Sequence, residues 1–356
     1  MSLQKIRKAI DSLDAKILSL LNDRAKSSRE IGKLKEGQGI YAPHREKEVL
    51  TRLKTLNKGP LTNEAIDAIY REIMSFSISL EKKVSIAYLG PAVTYTHQAA
   101  QKKFGSSVEY SASASISDVF ADVVNGRSEY GVVPVENSTE GAVNHTLDLF
   151  IDSDLKIYGE IYLPVHHYLM SNGVPLSSIT QVYSKDQVFG QCRLWLEANL
   201  RGADLVDTAS TSEAAQIVAN NSNQEGIACI ASRIAADEYG LKVLASSIED
   251  NPNNTTRFLV IARDEAKPTK SDKTSIVFEI KDKSGALHDI LVPFKKARIN
   301  LTKIESRPSK KKAWSYFFFV DIEGHHNDAR VKKALASLAK HCTFLRVLGS
   351  YPRAEE

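Results

Sequence analysis

The spacing of hydrophobic residues changes character twice along the chain and divides it into three parts. In residues 3–35 the apolar positions recur at steps of three and four without proline, which predicts one long amphipathic helix. At 1.5 Å per residue this helix is about 50 Å long, more than a domain of about 80 residues needs to cover its own core. We therefore expect a partner helix. The apolar positions are Leu3, Ile6, Ile10, Leu13, Ile17, Leu20, Leu21 and Ile31.

Glycine and proline residues then separate two further helical patterns from the first. Gly37 and Gly39 end the first helix, and Pro43 lies where a second can begin, with apolar periodicity over residues 46–56. A third periodic stretch covers residues 65–80, with Thr62 as its predicted N-cap. Residues 1–82 are therefore predicted to be an all-helical domain.

From residue 84 onward, short apolar runs alternate with helical stretches. This alternation predicts an α/β domain over residues 83–264 with largely parallel sheets. A polar stretch then indicates a linker, and residues 273–356 follow the order βαββαβ, which predicts a ferredoxin-like α+β domain. The predicted strands of the middle part are residues 84–89, 131–135, 157–162, 179–183, 226–230 and 258–261.

Composition narrows the class of protein. The chain has 356 residues, too many for a single small core. With 42% hydrophobic and 25% charged residues, it is too apolar to be disordered. The 47 Lys and Arg against 43 Asp and Glu give a net charge of +4, so we expect no nucleic-acid partner. No stretch of about 18 apolar residues occurs, and we expect a cytoplasmic protein without membrane contact. Three widely spaced cysteines predict reduced thiols, and neither a metal nor another cofactor is expected.

Cationic residues in the helical part point to an anion site. Arg24 and Lys35 are 11 residues apart and lie within about 20° of each other on the first helix. Arg7 points about 100° away, so a neighbouring protomer would have to bring it to the same pocket. Ser77 and Glu81 add a polar stripe to the third helix. The alternative is a coiled-coil-like dimerisation module with solvated charges.

With Arg45 and Glu46 opening the second helix, residues 2–82 resemble the all-helical chorismate mutase family. The resemblance implies an intertwined homodimer, or a higher homo-oligomer, that converts chorismate to prephenate with Arg7 crossing into the partner's site. It places the three arginines near the substrate carboxylates and Lys35 near the ether oxygen. It also places Glu46 and Ser77 near the ring hydroxyl and a carboxylate.

The chemistry of the Claisen rearrangement agrees with these residue types. The reaction needs no nucleophile, so catalysis comes from holding a compact chair and stabilising charge on the ether oxygen. Two positions depart from some family members: Ala42 stands where an acidic residue occurs, and Glu81 stands where Gln occurs. Because an ionised carboxylate cannot donate a hydrogen bond, we expect Glu81 to act protonated.

Polar motifs lie at the ends of three predicted strands of the middle part: two follow a strand, where open α/β sheets bind ligands, and the third precedes the last strand. They contain Thr94 after Gly90-Pro91, Asn137 and Ser138 after Val135-Glu136, and the triplet Thr256-Arg257-Phe258. Ordinary turn residues and a surface arginine are the alternative. Further candidates for the polar lining are Ser184 and Thr211.

Taken together, these motifs resemble prephenate dehydratase over residues 85–263. The resemblance implies a two-lobed fold similar to periplasmic binding proteins, with prephenate converted to phenylpyruvate between the lobes. It also implies that Thr256 is catalytic and that Arg257 clamps a carboxylate. Lys185-Asp186 departs from the His-Pro of many relatives. Arogenate in place of prephenate stays open as the substrate.

Two motifs of the last part resemble ACT regulatory domains on dehydratases, over residues 273–351. They are Gly285-Ala286-Leu287 and Glu305-Ser306-Arg307-Pro308. The resemblance implies L-phenylalanine binding between two ACT domains and feedback inhibition. A turn glycine and a capped strand end are the alternative. For the whole chain, a non-catalytic amino-acid sensor and a dehydratase with an inactive helical module remain as rivals.

Overall fold

The computed structural model describes residues 2–34, 41–221, 226–280, 283–309 and 315–354. The N-terminal part is helical, as predicted, and its third helix is capped by the Thr62 side chain, which accepts a hydrogen bond from the backbone N–H of Ala65 at 3.2 Å. The helices are α1 (Leu3–Leu34), α2 (Pro43–Leu56) and α3 (Asn63–Glu81).

Helix α1 packs on α3 through its C-terminal half and leaves an apolar stripe open to solvent. Near Gly32 the two helices approach closely, since a Cβ there would lie 3.1 Å from Cγ of Glu81. The stripe repeats at steps of three and four, the seam of a coiled coil. Its members, each at least 40% exposed, are Leu3, Ile6, Ile10, Leu13, Ile17 and Leu20.

Tyr41, just before α2, anchors the helical part to the α/β part. Its ring is only 4% exposed and packs 5.0 Å from Phe104, 5.6 Å from Tyr130 and 6.1 Å from Tyr158, centroid to centroid. The Tyr158 hydroxyl donates to the backbone oxygen of Tyr41 at 2.8 Å. This aromatic cluster fixes the start of α2 against the first lobe.

The first lobe is a mixed sheet in the order β2-β1-β3-β11-β5, with β4 beside β3. Its strands are β1 (Ser85–Leu89), β2 (Glu109–Ser113), β3 (Tyr130–Asn137), β4 (Gly141–Ala142), β5 (Lys156–Pro164) and β11 (Thr255–Ala262). Its helices are α4 (Tyr95–Phe104), α5 (Ile116–Val124) and α6 (Asn144–Asp152).

The second lobe has a five-stranded sheet in the order β10-β6-β9-β7-β8. Its strands are β6 (Tyr168–Ser171), β7 (Gln181–Ser184), β8 (Asp204–Asp207), β9 (Ile227–Ala231) and β10 (Lys242–Ala245). A 3₁₀ turn covers Leu176–Ser178, and the helices are α7 (Asp186–Gln191), α8 (Arg193–Asn199), α9 (Thr211–Asn220) and α10 (Arg233–Tyr239).

The two lobes confirm the predicted two-lobed α/β fold, but the expectation of largely parallel sheets is wrong. Strand β11 runs antiparallel to both β3 and β5, because the chain returns through it from the second lobe. Strand β6 is likewise antiparallel to its two neighbours. Strands β2, β4, β6, β8 and β10 are not among the predicted strands. Strand β4 has only two residues, and at least half of the residues of β2 and β8 are polar.

The C-terminal part has the predicted ferredoxin-like order, with its sheet arranged as β13-β14-β12-β15. All pairings in this sheet are antiparallel. The elements are β12 (Asp272–Ile280), α11 (Ala286–Lys296), β13 (Leu301–Pro308), β14 (Tyr316–Glu323), α12 (Ala329–Ala339) and β15 (Cys342–Pro352).

The open face of this C-terminal sheet packs directly on the first lobe. Leu259 and Ile261 of β11 share one buried core with Val277 and Phe319 of the C-terminal sheet. At the closest approach a Cβ on Gly349 would lie 2.2 Å from the backbone oxygen of Ile157, so only glycine fits there. The first lobe and the C-terminal domain therefore share a continuous hydrophobic core.

Candidate functional site

A cleft of about 820 Å³ separates the two lobes. Both lobes contribute polar side chains to it, and the ends of strands β3 and β11 form its floor. Its polar lining consists of Thr94, Tyr95, Thr96, Asn137, His167, Lys185, Gln187, Gln191, Ser210, Thr211, Glu213, Gln216, Asn254 and Thr256.

Asn137 and Thr256 form the central pair of the cleft. They are opposite each other on β3 and β11, and Nδ2 of Asn137 donates to Oγ1 of Thr256 at 2.7 Å. The second Nδ2 proton goes to Oδ1 of Asn254 at 2.9 Å, while Oδ1 of Asn137 accepts from the backbone N–H of Thr139 at 3.0 Å. Since Asn137 occupies an acceptor position of Oγ1, the Thr256 hydroxyl proton is free to donate elsewhere.

A chain of hydrogen bonds continues from this pair into the second lobe. Nδ2 of Asn254 donates to Oε1 of Gln191 at 3.3 Å, and the same oxygen lies 2.8 Å from Nε2 of His167. Because this oxygen only accepts, Nε2 carries a proton. Burial lowers the pKa of His167, which leaves Nδ1 unprotonated beside the Tyr95 hydroxyl at 2.9 Å. The chain therefore links the two lobes around a neutral imidazole.

The cleft contains four of the predicted lining residues, Thr94, Asn137, Thr211 and Thr256. Thr94 also caps helix α4, since its Oγ1 accepts from the backbone N–H of His97 at 3.4 Å.

Two serines predicted to line the cleft have other positions. Ser184 is fully buried and donates to the backbone oxygen of Ile230 at 2.8 Å, within the second sheet. Ser138 accepts from the backbone N–H of Thr255 at 3.0 Å and stabilises the turn beside the cleft. Both serines satisfy nearby backbone groups, which a local sequence pattern does not reveal.

The prediction that Arg257 lies in the substrate cleft is wrong for this structure. Successive residues of a strand point to opposite faces, so Thr256 faces the cleft and Arg257 faces the C-terminal domain. Arg257 is only 5% exposed, and its guanidinium contacts Glu160 at 2.9 Å and Asp321 at 2.6 Å.

Lys185 supplies the positive charge that Arg257 does not. It precedes helix α7, and it is the only Lys or Arg among the described residues that line the cleft. Its position in the loop where many relatives have His-Pro was the signal available in the sequence. His167, Gln191 and Asn254 carried no comparable signal, because the folding of two lobes brings them together.

In the helical domain, α1 and α3 bring three predicted residues together. Arg24 donates to Oγ of Ser77 and lies 3.5 Å from the backbone oxygen of Ile73. Glu81 lies on the same α3 surface and packs against Gly32 of α1. Burial lowers the pKa of Arg24, whose guanidinium nevertheless stays charged at neutral pH.

The other predicted mutase residues lie apart from this group. Arg7 is exposed on the N-terminal half of α1, and Arg45 pairs with Glu48 at 3.0 Å on the surface. Glu46 accepts from the Tyr41 hydroxyl at 2.5 Å. Lys35 lies outside the described residues.

The predicted phenylalanine-binding motifs lie at the start of α11 and along β13. Gly285 has φ +77°, a left-handed conformation that favours glycine, with open space where a Cβ would lie. Ala286 is buried and Leu287 is exposed.

On β13, exposure alternates along the strand. Ser306 and Pro308 are exposed, whereas Glu305 and Arg307 lie on the half-buried face. Arg307 pairs with Asp148 of the first lobe at 3.2 Å, so its side chain points away from the exposed face. Ser306 and Arg307 therefore lie on opposite faces of β13, and the contact with Asp148 gives Arg307 a structural partner.

Among the described residues, no group of three or more His, Cys, Asp or Glu side chains is arranged to hold a metal ion. Within the same described ranges, no helix is both long and apolar enough to cross a membrane.

Three sequence families match the chain in succession: chorismate mutase type II over residues 6–82, prephenate dehydratase over 86–266 and the ACT domain over 274–340. A bifunctional chorismate mutase/prephenate dehydratase of Aquifex aeolicus is 49% identical over 99% of this chain and 98% of its own length. The chain belongs to this bifunctional family. It therefore combines both enzymatic activities in one polypeptide, and the sensor and inactive-module alternatives are not favoured.

Solved structures agree over the dehydratase and ACT domains. A prephenate dehydratase of Arthrobacter aurescens in complex with L-phenylalanine is 36% identical, with a TM-score of 0.70, covering 76% of this chain and 90% of its own. GqqA, described as a novel type of quorum-quenching acylase, is 27% identical, with a TM-score of 0.69, covering 76% and 98%.

The neutral state of His167 predicts a pH dependence of stability. The unfolded chain protonates this imidazole near pH 6.5, whereas the folded chain resists protonation, so the unfolded state binds more protons as the pH falls. The free energy of unfolding should therefore decrease from pH 7.5 to 5.5. In His167→Gln this pH slope should be smaller by at most about 1.4 kcal/mol per pH unit.

Urea denaturation at several pH values measures both slopes. Burial also lowers the pKa of His97 and His326, but these residues are common to both proteins and cancel in the difference. Identical slopes for wild type and variant would show that His167 does not resist protonation.

Proposed function

We propose that prephenate loses its ring hydroxyl and one carboxylate in the interlobe cleft, with Thr256 as the hydrogen-bond donor to the leaving hydroxyl. The observation that carries this proposal is the 2.7 Å bond from Nδ2 of Asn137 to Oγ1 of Thr256, which leaves the hydroxyl proton available. A donor aimed at a leaving oxygen stabilises the charge that develops on it.

The proposed reaction proceeds as a coupled elimination. The bond between the ring and its carboxylate breaks, and its electron pair enters the ring as carbon dioxide departs. The hydroxyl leaves with the electron pair of its own C–O bond and takes the proton of Thr256, forming water. Asn137 stabilises the negative charge left on Oγ1 of Thr256, which regains its proton from solvent. Aromatisation drives the reaction.

Lys185 is our candidate for binding the carboxylate that the substrate keeps. A cation beside the departing carboxylate would oppose its loss, so its favourable place is beside the pyruvyl carboxylate. Such an interaction is equally strong in the ground and transition states, and it lowers KM without changing kcat. The role predicted for Arg257 thus passes to a lysine of the second lobe.

Thr256→Ala should lower the kcat of dehydration by about 100-fold or more while chorismate mutase activity stays unchanged. Thr256→Ser keeps the hydroxyl and should retain most of the turnover. Lys185→Met should instead raise the KM for prephenate about tenfold at nearly constant kcat, and Lys185→Arg should restore it. Phenylpyruvate formation from supplied prephenate measures these constants. Retained turnover in Thr256→Ala would refute the assignment.

For the mutase reaction we propose a site around Arg24, Ser77 and Glu81. Arg24 would bind a chorismate carboxylate, and Glu81 in its protonated form would donate to the ether oxygen together with Lys35. Arg7 of a second copy would complete the cation set. The roles of Arg45 and Glu46 stay predictions.

The exposed stripe of α1 supports a homodimer as the active form of the mutase. Six large apolar side chains at coiled-coil spacing lie open in the single chain, and a second α1 is the partner that matches their repeat. An antiparallel pairing of the two α1 helices would bring Arg7 of the partner toward Arg24, which lies about 25 Å further along α1.

Ile17→Glu should weaken dimerisation about 100-fold and lower mutase activity with it, because each dimer buries this side chain twice. Ser19→Glu is the matched control, since it adds the same charge outside the stripe. Sedimentation at several protein concentrations measures the dimer, and chorismate consumption measures the mutase. A monomeric Ile17→Glu protein with full mutase activity would exclude a shared site. Glu81→Gln, which keeps a donor, should stay dimeric and active.

We also propose that L-phenylalanine inhibits dehydration by binding at the exposed edge of the ACT domain. Within the described residues, strand β13 is an edge strand that pairs only with β14, and the left-handed Gly285 precedes helix α11. Two ACT domains can meet along this edge and enclose the ligand.

The chain would work in the cytosol, where its free cysteines stay reduced.

Gly285→Ala should raise the phenylalanine concentration for half-inhibition about tenfold, because the left-handed backbone disfavours a side chain and distorts the ligand loop. Gly240→Ala is the control. It lies in the second lobe with a similar φ of +67° and open space around it, so it carries the same backbone strain. If both variants needed the same phenylalanine concentration for half-inhibition, Gly285 would not be part of the phenylalanine site.

A further inference from the structure

We propose that Arg257 is a positioning residue for the dehydratase reaction. Through a largely buried cluster of six charges shared with the ACT domain, it fixes the strand that carries Thr256, so the ACT domain supports the active geometry as well as sensing a ligand. This inference rests on the role proposed for Thr256.

Arg257 is the centre of this cluster. Its Nε and Nη2 share Oε2 of Glu160, at 2.9 Å each, and its Nη1 contacts Oδ2 of Asp321 at 2.6 Å. Nη2 also donates to the hydroxyl of Tyr351 at 3.0 Å. Glu160 belongs to the dehydratase domain, while Asp321 and Tyr351 belong to the ACT domain. One guanidinium therefore joins β5, β14 and β15.

Two lysines of the ACT domain extend the cluster. Nζ of Lys273 lies 2.8 Å from Oε2 of Glu160, and Nζ of Lys303 lies 2.8 Å from Oε2 of Glu136. The six-charge cluster thus consists of Glu136, Glu160, Arg257, Lys273, Lys303 and Asp321.

The charges balance only when the two domains are together. The dehydratase domain contributes two carboxylates and one guanidinium, a net charge of −1, and the ACT domain contributes two ammonium groups and one carboxylate, a net charge of +1. A buried charge without its counter-charge is costly, so each half needs the other. The cluster therefore fixes the mutual position of the domains more specifically than apolar contact does.

The cluster and the catalytic pair occupy the same two strands. Thr256 faces Asn137 across β11 and β3, and the next pair along is Arg257 opposite Glu136. The register then shifts between Arg257 and Phe258, a bulge of the kind that re-aims side chains near active sites. Because consecutive residues share a peptide bond, displacement of Arg257 moves Oγ1 of Thr256 on the opposite face.

Strand β13 connects this arrangement to the proposed ligand edge. Lys303 of β13 binds Glu136, and the same strand continues into Glu305 and Ser306. A ligand that shifts β13 would move Lys303, then Glu136, and so the neighbouring Asn137 that donates to Thr256. Two packings of the cluster, with and without ligand, would be the two states between which phenylalanine selects.

The decisive comparison is Arg257→Lys against Arg346→Lys. Both replace an arginine in the interface between the dehydratase and ACT domains. Arg346 donates to the backbone oxygens of Ile151 at 3.1 Å and Ser153 at 2.9 Å, residues that belong to neither β3 nor β11. Lysine keeps the charge in each case but cannot form the planar fork that joins several partners.

Arg257→Lys should lower the dehydratase kcat about tenfold or more with KM changed less than about twofold, because a displaced catalytic group loses alignment rather than binding. Mutase activity should be unchanged, and Arg346→Lys should keep the wild-type kcat. Equal kcat values in the two variants would overturn the proposal, as would a loss in Arg257→Lys that thermal destabilisation alone explains. If Thr256→Ala itself retained turnover, the proposed function would fail first.

A second variant decides the matter should Arg257→Lys fail to fold. Glu136→Gln with Lys303→Met removes one charge of each sign at the partly exposed end of the cluster and preserves the balance. It should lower the dehydratase kcat about threefold or more, because Glu136 is the neighbour of Asn137 on β3, and raise the phenylalanine concentration for half-inhibition about fivefold or more, a coupling loss of about 1 kcal/mol. Unchanged inhibition would show that the cluster does not link the ACT domain to the dehydratase site.

Discussion

The structure depends on the requirement that charge buried between two domains be balanced. Strand β11 pairs with β3 on one edge and with β5 on the other, and its two faces contact different parts of the protein. Thr256 on one face lines the cleft, while Arg257 on the other is neutralised by carboxylates of both domains. A strand held in this way can hold a hydroxyl at a defined place, and defined placement is most of what an elimination requires.

The cleft differs from the six-charge cluster in the kind of side chains that it brings together. Its central groups are amides, hydroxyls and one neutral imidazole, joined by hydrogen bonds that cross from one lobe to the other. Among the described residues that line the cleft, only Lys185 and Glu213 are Lys, Arg, Asp or Glu, and neither belongs to this hydrogen-bond chain. Relative movement of the lobes would break the chain at Gln191, so closure of the cleft and alignment of Thr256 are physically linked.

The helical domain differs from the other two because one of its helices exposes a row of large apolar side chains. Tyr41 fixes its connection to the first lobe, but the long apolar stripe of α1 has no cover within the described residues. A helix that exposes its apolar side is a strong reason for association. One chain thus forms the cleft between the lobes, whereas the mutase site that we propose around Arg24 calls for a second copy of α1.

The sequence by itself determined the division into three domains, the fold class of each and the presence of Thr94, Asn137, Thr211 and Thr256 in the cleft. Periodicity and strand-end motifs are local properties, and secondary structure follows them closely. Only the tertiary structure decided that Arg257 lies outside the cleft, that Lys185 lies within it and that Ser184 is part of the second sheet. Which face of a strand becomes a binding surface depends on what packs against each face. For Arg257 the deciding partner, Asp321, is 64 residues away in the chain, beyond the reach of any local pattern.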